Sequence, residues 1–561
     1  MRVCFLGFIM PKLLNFPMIM KYALGGALLL VMLVLLLSPI GILVFLLVLL
    51  LAFIMGRNAS NNDTMARSLA FVQKHAVVVL VFQSLVYALA YVSLLPAGMY
   101  FAPDSLSYLL VSEQAPPNFS LIARGLVELE LAFDGTQIVL LRYLAIMIYT
   151  VGGGLLAKAL LQSGRPLLAL LVLPALWSMS SLTQWFNYFL TDGLATSLLV
   201  ACIGAYANMY VSICGGSAAR RTWGWLGLFI LLGMLAFSMR PAFAFIAPVM
   251  VFLMFNRHIF QWRRVIAASL GVAVLASAHF SFAIYWHGRM PTQMGGVLTA
   301  LVFDFPIPHT CGQEDDSNIC RSQRVLEPFI KASRDLGATR EQYVYKLLNN
   351  SSVTMSARAS IKGGDPHYEA LLDIALLKIK SNPWDYVWMV IRHSYYSVKS
   401  WGDWAWNDHF GGGNVAMVNI ENNNAIAPAV SDAMLKVFGV NFDPTIDAPA
   451  REVFYKNILF QFPRVVVNHH VVYRLASVLS GMAIVFMLLP VFVSSSLVRT
   501  ILSACCAMSV GGMIFQNMFF PAAPRLLDPF HPLAAVGVLM LVSLIMDARR
   551  ATKLRFPFFL K

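Results

Sequence analysis

VVVLVFQSLVYALAYVSLLPAGMYFAPDSL, residues 77–106, decides the class of the chain. Val77 to Leu95 is an apolar run of the length, about 20 residues, that carries a helix across roughly 30 Å of hydrocarbon. Pro103-Asp104-Ser105-Leu106 then opens a loop in which Asp104, Glu113, Glu128, Glu130 and Asp134 face Arg124 alone. Arg57, Arg67 and Lys74 stand on the other side of the run. The positive-inside rule therefore puts those cations in the cytoplasm and the acidic loop outside. Asp104 is a carboxylate held just beyond the bilayer, where a group acting on lipid-linked substrates would sit.

The composition extends this reading to the whole chain. Of 561 residues, 59% are hydrophobic and 12% charged, about half the charged share of a soluble globule. The net charge of +14 does not indicate a nucleic-acid partner. Lys and Arg fall in short clusters between apolar runs, with no basic stripe interleaved with aromatics. Ala23 to Met55 is too long for one helix and breaks at Ser38-Pro39-Ile40-Gly41, so it reads as a hairpin with both ends cytoplasmic. No polar stretch with a small-residue cleavage site follows a single apolar core, which argues against a cleaved signal peptide.

Further spans are expected near 138–156, 167–181, 188–211, 223–239, 242–255, 265–286, 471–493, 501–520 and 532–546. Lys158, Arg165, Arg220, Arg221, Arg257, Arg263 and Arg264 mark the cytoplasmic returns. The total is about twelve spans, with a cytoplasmic C-terminus at Arg549, Arg550, Lys553 and Arg555. The expected fold is an all-α polytopic membrane protein with a largely helical external region. Its divisions are a hairpin and cytoplasmic loop (1–76), a transmembrane core (77–287) with first external loop 96–137, an external soluble region (288–464), and C-terminal spans with a basic tail (465–561).

Within the external region, Cys311 and Cys320 lie close enough in a polar segment to form a small disulfide loop in an oxidising compartment. A zinc site is the weaker alternative, because neither CxxC pairing nor a matching His pair is present. Tyr368 to Lys380 reads as an amphipathic helix ended by Pro383. PWDYVWMVIRHSYYSVKSWGDWAW follows, and aromatic and basic side chains together suit the membrane interface. Trp401 and Trp404 also have the flat faces that stack on a sugar ring.

Four ionisable positions gather at the external ends of spans, where a charge needs a partner or a task. Asp104 is one. Asp192, in TDGLATSL, falls in the first turn of a span, where the helix dipole favours an anion. Arg240, in SMRPAFAF, is an external cation against the positive-inside trend. Arg525, in PRLLDPFHPL, either pairs with Asp528 across a turn or offers its planar fork to phosphate. Two acids and two arginines at one face are what attack on a lipid-linked phosphosugar requires.

In order, PDSLSY, TDGLATSL, ALLKIKSNPWDYVWMVIRHSYYSVKSW and PRLLDPFHPL resemble the motifs of the GT-C superfamily of membrane glycosyltransferases. That class includes protein O-mannosyltransferases and the aminoarabinose transferases of lipid A. The likeness spans about Tyr100 to Leu533 and rests on motif order; where the family commonly has Arg-Tyr, this chain has Arg525-Leu526. The resemblance implies a GT-C-like core at 77–287 and a polyprenyl-phosphate sugar donor. It also implies a glycan, lipid or protein acceptor and inverting transfer on the periplasmic face of a bacterial inner membrane. In these terms Asp104 and Asp192 are catalytic, Arg240 and Arg525 hold the lipid phosphate, and Tyr108, Trp401 and Trp404 contact substrate. A divalent ion, Mg or Mn, shared by Asp104 and Asp192 is compatible with the pattern but not required by it. The rival classes are a flippase or transporter of a lipid-linked or anionic substrate, and an O-antigen-type polymerase.

Overall fold

Two long apolar helices touch backbone to backbone at Gly152 and Gly204, and the bundle is assembled around that contact. The computed structural model describes residues 78, 80–85, 88, 99, 101–111, 116–133, 138–177, 186, 188–288, 294–308, 311–312, 314–335, 344, 352–365, 367–400, 415–445, 496–519 and, in part, 530–547. No strand occurs among them. In chain order the helices are α1 (Pro103–Leu109), α2 (Pro117–Ala132), α3 (Leu140–Gln162), α4 (Pro166–Trp177), α5 (Thr191–Cys214), α6 (Ala219–Met239), α7 (Ile246–Leu253) and α8 (Trp262–His287). They continue as α9 (Met294–Leu301), α10 (Asn318–Asp335), α11 (Ser352–Ser360), α12 (Glu369–Ser381), α13 (Pro383–Ser400), α14 (Val415–Phe438) and α15 (Leu497–Phe519).

Five of these, α3, α5, α6, α8 and α15, are long and apolar enough to cross a membrane. They coincide with five of the expected spans. The run near 167–181 forms α4, described from Pro166 to Trp177 with Pro174 inside it. The run near 242–255 forms a 3₁₀ turn, Pro241–Phe243, and then α7, an eight-residue helix rising only about 12 Å. The expected hairpin at 23–55 and the span near 471–493 lie outside the described residues.

Helix α5 is the axis: every residue from Thr191 to Tyr210 is buried. A helix apolar all round needs neighbours on all sides. A Cβ on Gly152 would lie 2.6 Å from the Ala201 nitrogen, and one on Gly204 would lie 2.8 Å from the Gly152 oxygen. Small residues are thus what lets α3 and α5 approach, as membrane helices without a hydrophobic drive between them require. The Asn208 amide donates to the Leu155 carbonyl at 2.7 Å, closing the same parallel seam. Helix α6 runs back along α5: Ser212 meets Thr222 at 3.0 Å at one end, and Cys202 donates to the Phe229 carbonyl at 3.5 Å midway. On α8, Trp262, Ile266, Leu270 and Val274 form an exposed stripe at helical spacing, as a lipid-facing surface would.

A second core lies in residues 298–390, where Leu298, Leu301, Phe303, Leu326, Val353, Leu371 and Met389 pack together. Cys311 and Cys320 are joined by a disulfide, with Cα atoms 5.5 Å apart. The expected amphipathic segment is α12, and Pro383 both closes it and begins α13. Helix α13 is fastened to the end of α15: the Tyr386 hydroxyl donates to the Met518 carbonyl at 2.6 Å, and the Asn517 amide to Ser394 Oγ at 3.3 Å. Burial there pushes the Tyr386 phenol up to about 12.

Candidate functional site

TDG starts α5 and MRP ends α6, and the two sequences bring opposite charges together. Asp192 sits in the first turn of α5, where the helix N-terminus favours an anion. Arg240 follows the last residue of α6 in extended backbone, φ −137° and ψ 104°, the conformation imposed on a residue before proline. Its backbone N–H still bonds the Ala236 and Phe237 carbonyls at 3.1 and 3.2 Å, so the cation stands at the negative end of α6. Arg240 Nη1 donates to Asp192 Oδ1, and the two side chains are only 7% and 3% exposed. The guanidinium also lies over the Phe243 ring, 5.5 Å from its centroid.

Asp104 reaches the same end of the bundle through Ser105. Ser105 Oγ accepts the Ala102 N–H at 2.9 Å and donates to the Phe189 carbonyl at 2.8 Å, just before α5 begins. Phe101 stacks on Phe189 with centroids 5.5 Å apart, and its N–H donates to Asn423 Oδ1 at 2.8 Å. The start of α1 is thereby tied to the start of α5 and to α14. Asp104 itself is exposed. Tyr108 turns inward instead, edge-on to Phe119 at 4.9 Å. An exposed carboxylate and a buried, paired acid and base thus stand at the same end of the bundle.

Arg525, Trp401 and Trp404 lie outside the described residues. Of the two carboxylates expected to share a Mg or Mn ion, Asp192 accepts through Oδ1 from Arg240. Among the described residues no group of three or more His, Cys, Asp or Glu side chains comes together.

Three polar residues with structural consequences were not singled out from the sequence. Arg142 is 2% exposed in the first turn of α3. Stepping back equally along both helices from the Gly152–Ala201 contact reaches Arg142 on α3 and Thr191 on α5, so Arg142 stands level with Asp192. A lone Arg inside an apolar run, LLRYLAIM, was its signal. Glu130 accepts the Val139 N–H at 2.7 Å and the Leu140 N–H at 3.0 Å, capping α3. One acid of the first loop therefore serves the fold. Asn423 fixes the chain ahead of Asp104, and nothing local in its sequence announces that.

No protein-family model matches the chain, and no curated protein or solved structure does either.

Proposed function

We propose that the chain is a membrane glycosyltransferase of the GT-C type, with about twelve spans and both termini cytoplasmic in a bacterial inner membrane. It moves a sugar from a polyprenyl-phosphate donor to a glycan, lipid or protein acceptor on the periplasmic face. The observation that carries this reading is that the buried Asp192–Arg240 pair stands at the end of the bundle to which Ser105, next to Asp104, is tied through the Phe189 carbonyl.

In the proposed reaction the acceptor hydroxyl oxygen attacks the anomeric carbon from the face opposite the phosphate. The bond from that carbon to the lipid-phosphate oxygen breaks, and the configuration inverts. Asp104 takes the hydroxyl proton as the new bond forms. The electron pair leaves with the polyprenyl phosphate, whose charge Arg240 and Arg525 offset. A guanidinium has five N–H donors, so bonding through Nη1 leaves capacity for an anion. Asp192 holds Arg240 in place before the donor arrives, and Trp401 and Trp404 offer stacking faces to the sugar.

A transporter would line its path with polar groups deep in the bundle. The polar groups along α5 instead satisfy neighbouring backbone: Thr196 and Ser197 donate to the Asp192 and Gly193 carbonyls at 2.8 Å, and Asn208 to Leu155. That favours transfer over transport. The test is reconstitution of the full chain in proteoliposomes with labelled polyprenyl-phosphate glucose, mannose or aminoarabinose and an envelope extract as acceptor. Release of polyprenyl phosphate with label appearing in the acceptor supports the proposal; label that only crosses the membrane, still on its lipid, supports the transporter.

A further inference from the structure

Near the end of α15, Gln516 is 2% exposed, and neither its amide nitrogen nor its amide oxygen has a hydrogen-bond partner among the described residues. Burying an amide without partners is costly, and a Leu there would avoid the cost. The register of α15 shows where the side chain stands. A Cβ on Gly511 would lie 2.9 Å from Val249, and the Phe515 ring is 6.3 Å from that of Phe245. Moving toward the end of α15 thus moves back along the chain toward Arg240, so Gln516 is level with Ala244, next to the turn Pro241–Phe243. Gly512, one helical turn before Gln516 on the same face, packs against the Phe530 ring. Phe530 in turn packs on Phe243, the ring beneath Arg240, at 5.6 Å between centroids.

We infer that Gln516 is a sugar-recognition residue of the donor site, reading a hydroxyl-bearing ring rather than the phosphate. The chemistry of the amide makes the distinction. A phosphate only accepts, so it would satisfy the NH₂ and leave Oε1 orphaned; a sugar hydroxyl both donates and accepts and can satisfy both ends. This inference rests on the proposed glycosyl transfer and assigns its specificity to one side chain.

The test compares full-length wild type with Gln516→Leu in nanodiscs. Binding is measured for polyprenyl phosphate alone and for its glucose, mannose and aminoarabinose conjugates. The expected result is that the Leu variant binds bare polyprenyl phosphate as the parent does, but loses about tenfold in affinity for the sugar conjugate that wild type prefers. It should also melt at a higher temperature than wild type without ligand, since an unbonded buried amide has been removed. A variant that keeps the sugar preference overturns the inference and leaves the proposed transferase standing. So does one that melts lower, which would mean that the amide has a structural partner. A wild type that binds none of the lipid phosphates overturns both.

Discussion

Replacing Asp192 by Leu leaves the Arg240 guanidinium inside the bundle without its counter-charge. Both side chains are nearly sealed from solvent, at 3% and 7% exposed, so water cannot take over the lost partner's role. Breaking a buried pair from one side costs about 3–5 kcal/mol, whereas an exposed pair is worth about 0–1 kcal/mol. Arg240→Met should cost a similar amount by stranding the carboxylate. The double variant Asp192→Leu/Arg240→Met removes both charges and should lose much less than the two single changes together, because apolar replacements of a buried pair are often near neutral. The assay is a double-mutant cycle on reversible unfolding in SDS-containing mixed micelles, with α5 and α6 reported by a fluorophore pair. A double variant that loses no more than one single change gives a coupling of at least about 3 kcal/mol, the expected result. Single variants that each stay within about 1 kcal/mol of the parent, with no coupling, would refute the placement of this pair in a dry interior.

Gly152→Leu should separate α3 from α5, because even a Cβ would lie 2.6 Å from the Ala201 nitrogen; a loss of about 1–3 kcal/mol in the same unfolding assay is expected, and an unchanged midpoint contradicts the contact. Lys378 is buried and donates to the Phe303 carbonyl at 2.9 Å, and that burial holds its ammonium down to about 8 from 10.5 despite the opposing pull of Asp304. The unfolded chain keeps this proton up to the higher value while the folded chain has released it, so stability should rise between pH 8 and 10.5. Thermal melting of wild type and Lys378→Met checks this: the rise should vanish in the variant, and a wild type without it contradicts the assignment. Cys311 and Cys320 should resist a membrane-impermeant maleimide on intact cells until a reductant is added, and then react from outside; labelling from the cytoplasmic side alone would overturn the proposed topology.

Much of this architecture was legible in hydropathy and local chemistry. Apolar runs of crossing length become α3, α5, α6, α8 and α15 because a lipid-exposed backbone has few alternatives to a helix. Arg240-Pro241 announces the end of α6, and Thr191-Asp192 the start of α5, through backbone and dipole rules that act within one turn. What was not legible depends on contacts far apart in the chain. That Asp192 and Arg240 choose each other follows from the antiparallel packing of α5 on α6. The tie from Ser105 to Phe189 and the hold of Asn423 on Phe101 are likewise tertiary facts. Gln516 has no unusual local pattern at all; only its burial without a hydrogen-bond partner among the described residues sets it apart. Loop acids are ambiguous by type, since Glu130 caps a helix while Asp104 stays exposed, and only the fold separates them.

The proposed transfer depends on Asp104 taking the acceptor proton. The direct measurement is transfer from a labelled polyprenyl-phosphate sugar by Asp104→Asn in proteoliposomes, alongside the binding of bare polyprenyl phosphate by the same preparation. General-base catalysis contributes about 10²–10⁴-fold, so the variant should lose at least a hundredfold in rate while binding the lipid phosphate as the parent does. An Asp104→Asn protein that transfers sugar at the parent's rate would contradict the mechanism.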